Sequence, residues 1–532
     1  MVTARLEIGK LQRQLFQRQK RLIAASVLGH TASFRAYEDR YLRRTRTFQR
    51  EAPFAALLDA LAACDVAYVG DYHTLKQAQR SFLKLVQRRW PRRPLVLALE
   101  FVQGRHQRAL DAWLAGELDD DAFLRAIQYQ RHAVFDTWSN FKPLLEEARR
   151  LKLPVVGLDL ISGSLAERDG YAARRIVAAL QKHPGAQVFA LAGQLHVAPP
   201  HLPAAVDREL SRRKLPAVKG LSIYQNCERI WWALQREGRE LEVEACVLRE
   251  GEWCLINTPP VVVQQSFLDW VEGGEAPLDG GGMLEGRFRM LARSVARFLG
   301  LDTAEVREAL HGVSVYSAGD LSFLQRLPAQ GFKKAEIRQI ERQILSRESY
   351  YIPRARIAYL ANLSLNHAAE EAAHFVRNVV SGAGDEPRPL VDAFYSRALE
   401  EAYAFCGSKI VNPRRKCPHE AEFERLARAS DAFTREVARF VLEHRALEKT
   451  GRGLQRLRPL WQSQGSELFN AVTHSLGYML GERLYYALAT GRMLKRDVRA
   501  LFLDPLAEEG EPLAMYLSLS RRLAAVRIPR RI

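Results

Sequence analysis

Val66-Ala67-Tyr68-Val69-Gly70-Asp71-Tyr72-His73 is the stretch on which the fold turns. Four residues of β type run without polar alternation, and a glycine and a polar group follow. Such a run suits a strand buried on both faces of a parallel sheet. Outward from it, Leu95-Val96-Leu97-Ala98-Leu99, Pro154-Val155-Val156-Gly157-Leu158 and Gln187-Val188-Phe189-Ala190-Leu191-Ala192 repeat the texture. Helical stretches separate these runs: Leu75 to Trp90, His106 to Leu114, Phe141 to Leu151 and Leu165 to Gln181. The alternation specifies an α/β fold, a mostly parallel sheet with flanking helices. Near Val243 to Asn257 the pattern becomes a hairpin with Glu250-Gly251-Glu252 at its turn, and the α/β region closes by about residue 270.

In an open parallel sheet, ligands collect beyond the carboxyl ends of the strands. Three polar groups sit there: Gly70-Asp71-Tyr72-His73, Glu100 directly after Leu99, and Gly193-Gln194-Leu195-His196. His73, Glu100 and His196 are therefore the candidate catalytic residues and, with Asp71, the candidate metal ligands. Two imidazoles with carboxylates make a ligand set for Zn, Mn or Fe. The same residues serve metal-free chemistry, with His as general base and Glu as its orienting partner. Taken singly, each has a plainer reading, since GxxH arises by chance and a Glu after a strand often caps a helix. A glycine before each histidine suits a tight exit where a Cβ would crowd the backbone. Asp159 is a further edge carboxylate that would serve equally as a helix cap. His201, within Pro199-Pro200-His201-Leu202-Pro203, reads as a loop histidine.

The 532 residues, 47% hydrophobic and 26% charged, suffice for sizeable cores and exclude a largely disordered chain. The formal net charge is +18, and residues 1–50, with 12 Lys/Arg against 3 Asp/Glu, hold +9 of it. This basic helical arm (1–50) has Leu11, Leu15, Phe16 and Leu22 near helical spacing. It reads first as a solvated helix packing an apolar stripe; its charge also invites an anionic partner, without any RNA-type motif. An α/β domain (51–271), a glycine-rich linker (272–286) and an all-α domain (287–532) complete the plan. No apolar run reaches the ~18–20 residues of a membrane span. Leu22 to Gly29 is the one signal-like core, and the basic segment before it contains Glu7, which argues against a secretory leader. Six scattered cysteines, the first at Cys64, form no CxxC pair, so a reduced, cytoplasmic protein is expected.

The α/β region resembles the ChaN-like haem-binding proteins of the Tiki/TraB/erythromycin-esterase-like superfamily. The resemblance rests on Gly70-Asp71-Tyr72-His73, Leu97-Ala98-Leu99-Glu100-Phe101 and Gly193-Gln194-Leu195-His196-Val197. Gln107-Arg108-Ala109-Leu110-Asp111, Trp138, Phe141-Lys142-Pro143-Leu144 and Pro154-Val155-Val156-Gly157 extend it, over about residues 52–215. It implies a cleft built from the strand ends, with His73, Glu100 and His196 in the site and Asp71 where the family usually has Glu. It implies haem, or a divalent transition metal, as cofactor. Haem needs an axial ligand, apolar walls and cations for its propionates. Tyr72, Tyr129, His73 and His106 are candidate ligands, Phe101, Trp138 and Phe141 candidate walls, and Arg105 and Arg108 candidate propionate partners; packing and solvation are the plainer roles of such aromatics and arginines. A haem or iron-ligand-binding protein is the leading expectation. A metal-dependent or His/Glu-assisted ester or peptide hydrolase comes second, and a non-catalytic scaffold third. A small-molecule partner and a homo-oligomer are compatible with all of this.

In the helical half, His367, Glu371 and His374 fall at i, i+4 and i+7 on one helix face, and Glu371 with His374 is an ExxH pair. A di-iron bundle needs a second such unit, and none stands in a comparable context; His474 and Glu482 on the helix with Gly477 and Gly481 are the partners it would draw on. Gly477 and Gly481 read as a close helix contact. No phosphate loop, GxGxxG, GxSxG or HExxH stands in a suitable context, which removes support for nucleotide hydrolysis, dinucleotide redox chemistry and the standard peptidase mechanisms.

Overall fold

Every residue of β2 (Val66–Asp71) is buried in the computed structural model, as an unalternated apolar run requires when helices cover both faces. The structure describes residues 4–26, 31–89, 93–132, 137–273, 282–345, 348–383 and 388–529. The other strands of its sheet are β1 (Arg50–Ala52), β3 (Leu95–Gln103), β4 (Val155–Asp159), β5 (Gln187–Gly193), β6 (Gly220–Gln225), β7 (Ala245–Arg249) and β8 (Glu252–Leu255). Their order is β1-β7-β8-β6-β2-β5-β3-β4. The six strands from β8 to β4 pair in parallel, while β7 and β1 add an antiparallel edge. The 243–257 hairpin is the β7–β8 pair. The sequence pattern gave no sign of β1 or β6, because Arg-Glu-Ala and Gly-Leu-Ser-Ile-Tyr-Gln lack the continuous apolar run of the central strands.

The topology brings the candidate residues to one edge. β5 returns between β2 and β3, so three strands distant in sequence end side by side. Their register is set by Asp71 opposite Gly193 and Leu99 opposite Leu191. The connections leaving β2 and β5 run in opposite directions across the sheet, the arrangement that opens a crevice at the carboxyl edge. β3 does not stop at Leu99. It continues to Gln103 through an irregularity in its pairing with β4 between Leu99 and Gln103, and Glu100 lies in that irregularity. A bulge of this kind re-aims a side chain that regular pleating would fix.

Among the described residues, 18–273 form one compact unit, and 4–17 with 282–529 form another. The N-terminal arm consists of two helices, Ala4–Ser26 and Ala32–Arg44, the second capped by Thr31 Oγ1 accepting from the Phe34 N–H at 3.2 Å. The arm's stripe is Ile8, Leu15 and Phe16, whereas Leu22 is exposed. Residues 274–281 of the expected linker, and 27–29 of the signal-like segment, lie outside the described residues. Among the described residues, no helix is long and apolar enough to cross a membrane.

The second unit is helical and carries one small sheet in addition. Its strands are β9 (Ser314–Ser317), β10 (Tyr350–Ile352) and β11 (Ile357–Leu360). The helix expected over Ile357 to Val380 is thus a four-residue strand and then the helix Leu365–Ser381, separated at the Ser364 cap. Helix Glu467–Ala489 packs on Leu390–Val411 through its glycines: a Cβ on Gly481 would lie 2.3 Å from the Ala402 carbonyl oxygen, and one on Gly477 would lie 2.6 Å from that of Ala398. Gly286, in helix Gly282–Leu299, faces open space. Gly481→Ala should therefore destabilise the chain by about 1–3 kcal/mol through overpacking. Gly286→Ala should stabilise it by up to about 1 kcal/mol through helix propensity. Urea denaturation of the two variants checks the opposite signs.

Candidate functional site

At the exit of β2, Asp71 turns back rather than outward. Its Oδ2 pairs with His73 Nδ1 at 2.7 Å, and its Oδ1 accepts from Gln79 Nε2 at 2.6 Å. The Asn140 amide donates to the His73 carbonyl at 3.2 Å, so the imidazole is held at ring and backbone alike. Both Asp71 oxygens are thus engaged, one by His73 and one by Gln79. Gly70 is small for a different reason from the one expected: a Cβ there would collide with the Gln194 side chain at 1.9 Å, not with backbone.

A second carboxylate–imidazole pair mirrors the first. His196 Nδ1 lies 2.6 Å from Asp169 Oδ1, and Asp169 Oδ2 accepts from the Tyr37 hydroxyl at 2.8 Å. Tyr37 comes from the arm and stacks on His201 with ring centroids 3.5 Å apart. His201 itself is buried and donates from Nδ1 to the Leu195 carbonyl at 2.6 Å. Asp169 and Arg168 stand in the first turns of helix Leu165–Lys182, whose start is fixed by the Ser164/Glu167 capping box.

Glu100 lies between the two pairs. His196 Nε2 is 3.6 Å from its Oε1 and His73 Nε2 is 4.0 Å from its Oε2. Arg168 donates to Glu100 Oε1 at 2.6 Å and to Asp159 Oδ1 at 2.8 Å, so Asp159 anchors an arginine rather than capping a helix. The Gly193 N–H donates to Glu100 Oε2. A Cβ on Gly193 would lie 3.4 Å from Glu100, 3.5 Å from His196 and 3.6 Å from His73. The three side chains converge on the space that this glycine leaves.

Burial opposes charge throughout the cluster, and the neighbours overturn it. It would raise the Glu100 pKa, but His196, His73, Arg168 and the Gly193 N–H hold it at about 2. It would lower His73, but the hydrogen bond and charge of Asp71, with Glu100, lift it to about 9. His196 is raised in the same way by Glu100 and Asp169. Asp71 is raised by burial, against the pull of His73.

Over this cluster lies a cleft of about 850 Å³. Its lining includes Asp71, Tyr72, His73, Glu100, Arg168 and His196, with both arm helices and helix Pro260–Gly273 contributing walls. Phe34, Leu42, Val263 and Phe267 supply apolar surface, and exposed Lys20, Arg35 and Arg229 supply cations. Other expected residues are employed elsewhere. The Tyr129 hydroxyl accepts from the backbone N–H groups of Thr137 (2.6 Å) and Trp138 (2.9 Å), at the start of helix Trp138–Arg150. Arg105 is exposed and donates to its neighbour His106 at 3.1 Å, and neither lines the cleft. Arg108 is exposed and does not line it either. Phe101, Trp138 and Phe141 stack on one another and pack against the core.

Sequence reasoning missed Asp169, Arg168 and Tyr37. Asp169 left a signal, because it sits on the buried stripe of its helix with Ala172, Ala173 and Ile176, where a charge needs a partner. In the helical unit His374 of the ExxH pair comes together with residues of two other helices. His374 Nε2 (3.9 Å) and His474 Nδ1 (3.2 Å) share Glu401 Oε2, while Arg397 holds Glu401 Oε1 at 2.7 Å. His367 turns to Asn362 at 2.9 Å, and Glu482 pairs with Lys409.

Because the folded pKa of His73 lies above the free value of 6.5, its stabilising contribution is complete below pH 6.5 and is lost as pH rises through about 9. The Glu100 contribution is complete above pH 4.5 and is lost as pH falls through about 2. In metal-free protein, NMR titration should place the His73 midpoint near 9. Asp71→Asn should lower it by roughly one unit or more.

A family model described as haem-binding uptake, Tiki superfamily, ChaN matches residues 57–167. Among solved structures, a ChaN of Campylobacter jejuni described by its cofacial haem binding matches at 13% identity. That alignment covers 39% of this chain and 93% of the other, with a TM-score of 0.29. No curated protein matches the chain. The matched segment holds β2, β3 and β4 and supplies His73 and Glu100, so this part of the chain is similar to the ChaN family of the Tiki superfamily.

Proposed function

We propose that the α/β unit binds haem, or a related iron species, in the cleft at the carboxyl edge of its sheet. The observation that carries this reading is one cavity of about 850 Å³ that combines Tyr72 and His73 with aromatic walls and exposed cations. The volume lies within the ~300–1,000 Å³ of ligand clefts. Haem iron takes tyrosine or histidine axially, and propionates are met by lysine and arginine. Tyr72 and His73 are the residues that would hold the iron, with His73 Nδ1 paired to Asp71. Phe34 and Phe267 would flank the macrocycle, and Lys20, Arg35 and Arg229 would face the propionates. Bound haem supplies redox-active iron or is simply carried; the chain's part is to enclose and orient it.

Haemin titration followed by absorbance tests this. A saturable Soret change is expected, altered in Tyr72→Phe or His73→Ala and unaltered in Tyr129→Phe and Arg105→Ala. A spectrum identical to that of haemin in buffer, or one indifferent to both Tyr72 and His73, would sink the reading.

One observation favours a second reading, metal-dependent hydrolysis of an ester or peptide. Both imidazoles rest Nδ1 on a carboxylate and turn Nε2 toward Glu100, the support that metal-ligating histidines receive in carboxylate–histidine–metal triads. His73, His196 and Glu100 would then hold the ion, and a bound ion would supply an activated water. Elemental analysis should find a transition metal in the purified chain, with chelator-sensitive turnover reduced ~100-fold or more in Glu100→Gln. Metal-free protein with undiminished turnover would exclude this reading.

A further inference from the structure

The loop after helix Leu390–Val411 carries Cys417-Pro418-His419, and its two donors meet Glu482 in the middle of helix Glu467–Ala489. Cys417 Sγ lies 3.3 Å from Glu482 Oε2, and His419 Nε2 lies 3.2 Å from the same oxygen. All three donor atoms fall within 4.8 Å of one another. A tetrahedral zinc, with bonds of about 2.3 Å to sulfur and about 2.0 Å to nitrogen and oxygen, holds its donors roughly 3.3–3.5 Å apart. The two short separations are therefore already those of neighbouring ligands on one ion.

Two further features belong to a built site. The other Glu482 oxygen, Oε1, is held by Lys409 Nζ at 3.1 Å, and that ammonium also donates to the Arg415 carbonyl at 2.7 Å. The carboxylate is thus oriented from behind, as ligating carboxylates are. Access is open on one side, because Cys417 and Glu482 are buried while the His419 side chain is 46% exposed. An ion can enter past the imidazole, and a solvent molecule can complete its coordination.

We propose that Cys417, His419 and Glu482 bind a divalent ion of the zinc class. On binding, the sulfur–metal bond replaces the thiol S–H bond and the proton leaves to solvent. His419 contributes its Nε2 lone pair and Glu482 contributes Oε2. One thiolate, one imidazole and one carboxylate favour a thiophilic ion over calcium or magnesium, which prefer all-oxygen shells. Lys409 neutralises one of the two negative charges, which disfavours hard cations further.

Cobalt(II), added to the full chain after chelator dialysis under reducing conditions, is the probe. Thiolate ligation gives a sulfur-to-cobalt charge-transfer band in the near ultraviolet. The expected result is a band that saturates at a single equivalent, is displaced by zinc and is lost in Cys417→Ser. His419→Gln should weaken cobalt binding ~10-fold or more, whereas His73→Ala and His196→Ala should leave the band as it is. Absence of the band in the parent chain, or its survival in Cys417→Ser, overturns the proposal. Because Cys417 is buried, the half-exposed His419 decides the matter if the serine variant fails to fold: undiminished cobalt affinity in a natively folded His419→Gln chain also overturns it.

Discussion

A carboxylate kept ionised inside the α/β unit imposes most of the local design. Taking an ion such as the Glu100 side chain out of water costs several kcal/mol, even after relaxation, unless neighbours compensate. Here compensation comes from the Arg168 guanidinium, the Gly193 N–H and the facing imidazoles. Each of these carries its own requirement. Arg168 must be anchored, which Asp159 does. The Gly193 N–H must point at the carboxylate, and a Cβ on the residue that carries it would lie in ordinary contact range of Glu100, His196 and His73. Glu100 must leave the regular pleat, which the irregularity in β3 permits. The imidazoles gain charge in return, so the cluster titrates as a unit and not as independent groups.

Completing that unit takes more than the residues that match the ChaN family. Residues 57–167 contain Asp71, His73, Glu100 and Asp159. Arg168, Asp169, Gly193 and His196 follow the match, and Tyr37 precedes it. Tyr37 does for Asp169 what Gln79 does for Asp71: each donates to the carboxylate oxygen that the histidine does not use as its nearest partner. The arm therefore reaches the chemistry of the site, and the basic charge read from its sequence lies partly on a cleft wall, at Lys20 and Arg35.

The strand ends were legible because topology does the work: any residue just past a buried parallel strand reaches the same edge, whatever its distance along the chain. His73 and His196 fall under that rule, whereas Glu100 reaches the same edge from the irregularity inside β3. Sequence could not say which oxygen faces which nitrogen, so the pairing of the Asp71 carboxylate with His73 and Gln79 was not legible in it. Tyr129 reads as a haem ligand and Phe101 as a haem wall, yet one braces a helix start and the other stacks in the core. Local composition fixes an element's type and leaves open which of two apolar environments it enters. β11 failed for a related reason. Ile357-Ala358-Tyr359-Leu360 abuts a strong helix, and only the Ser364 cap separates them.

The helical unit reuses the same arrangement twice, which argues for a physical cause. Glu401 is held by Arg397 and faced by His374 and His474; Glu482 is held by Lys409 and faced by His419 and Cys417. In each case a cation sits on one oxygen of a buried carboxylate, and the remaining oxygen faces imidazole or thiol groups. Such pairs add little net stability over a well-packed apolar core, but removing one partner strands a charge and costs ~3–5 kcal/mol. They act as registration pins between helices, correct only when both partners arrive. Gly477 and Gly481 impose the same demand sterically, since their backbone contacts with Ala398 and Ala402 form in one alignment of the two helices. With Glu401 and Lys409 on one helix and His474 and Glu482 on the other, glycine contacts and ion pairs select a single alignment, and that alignment presents Glu482 to the 417–419 loop.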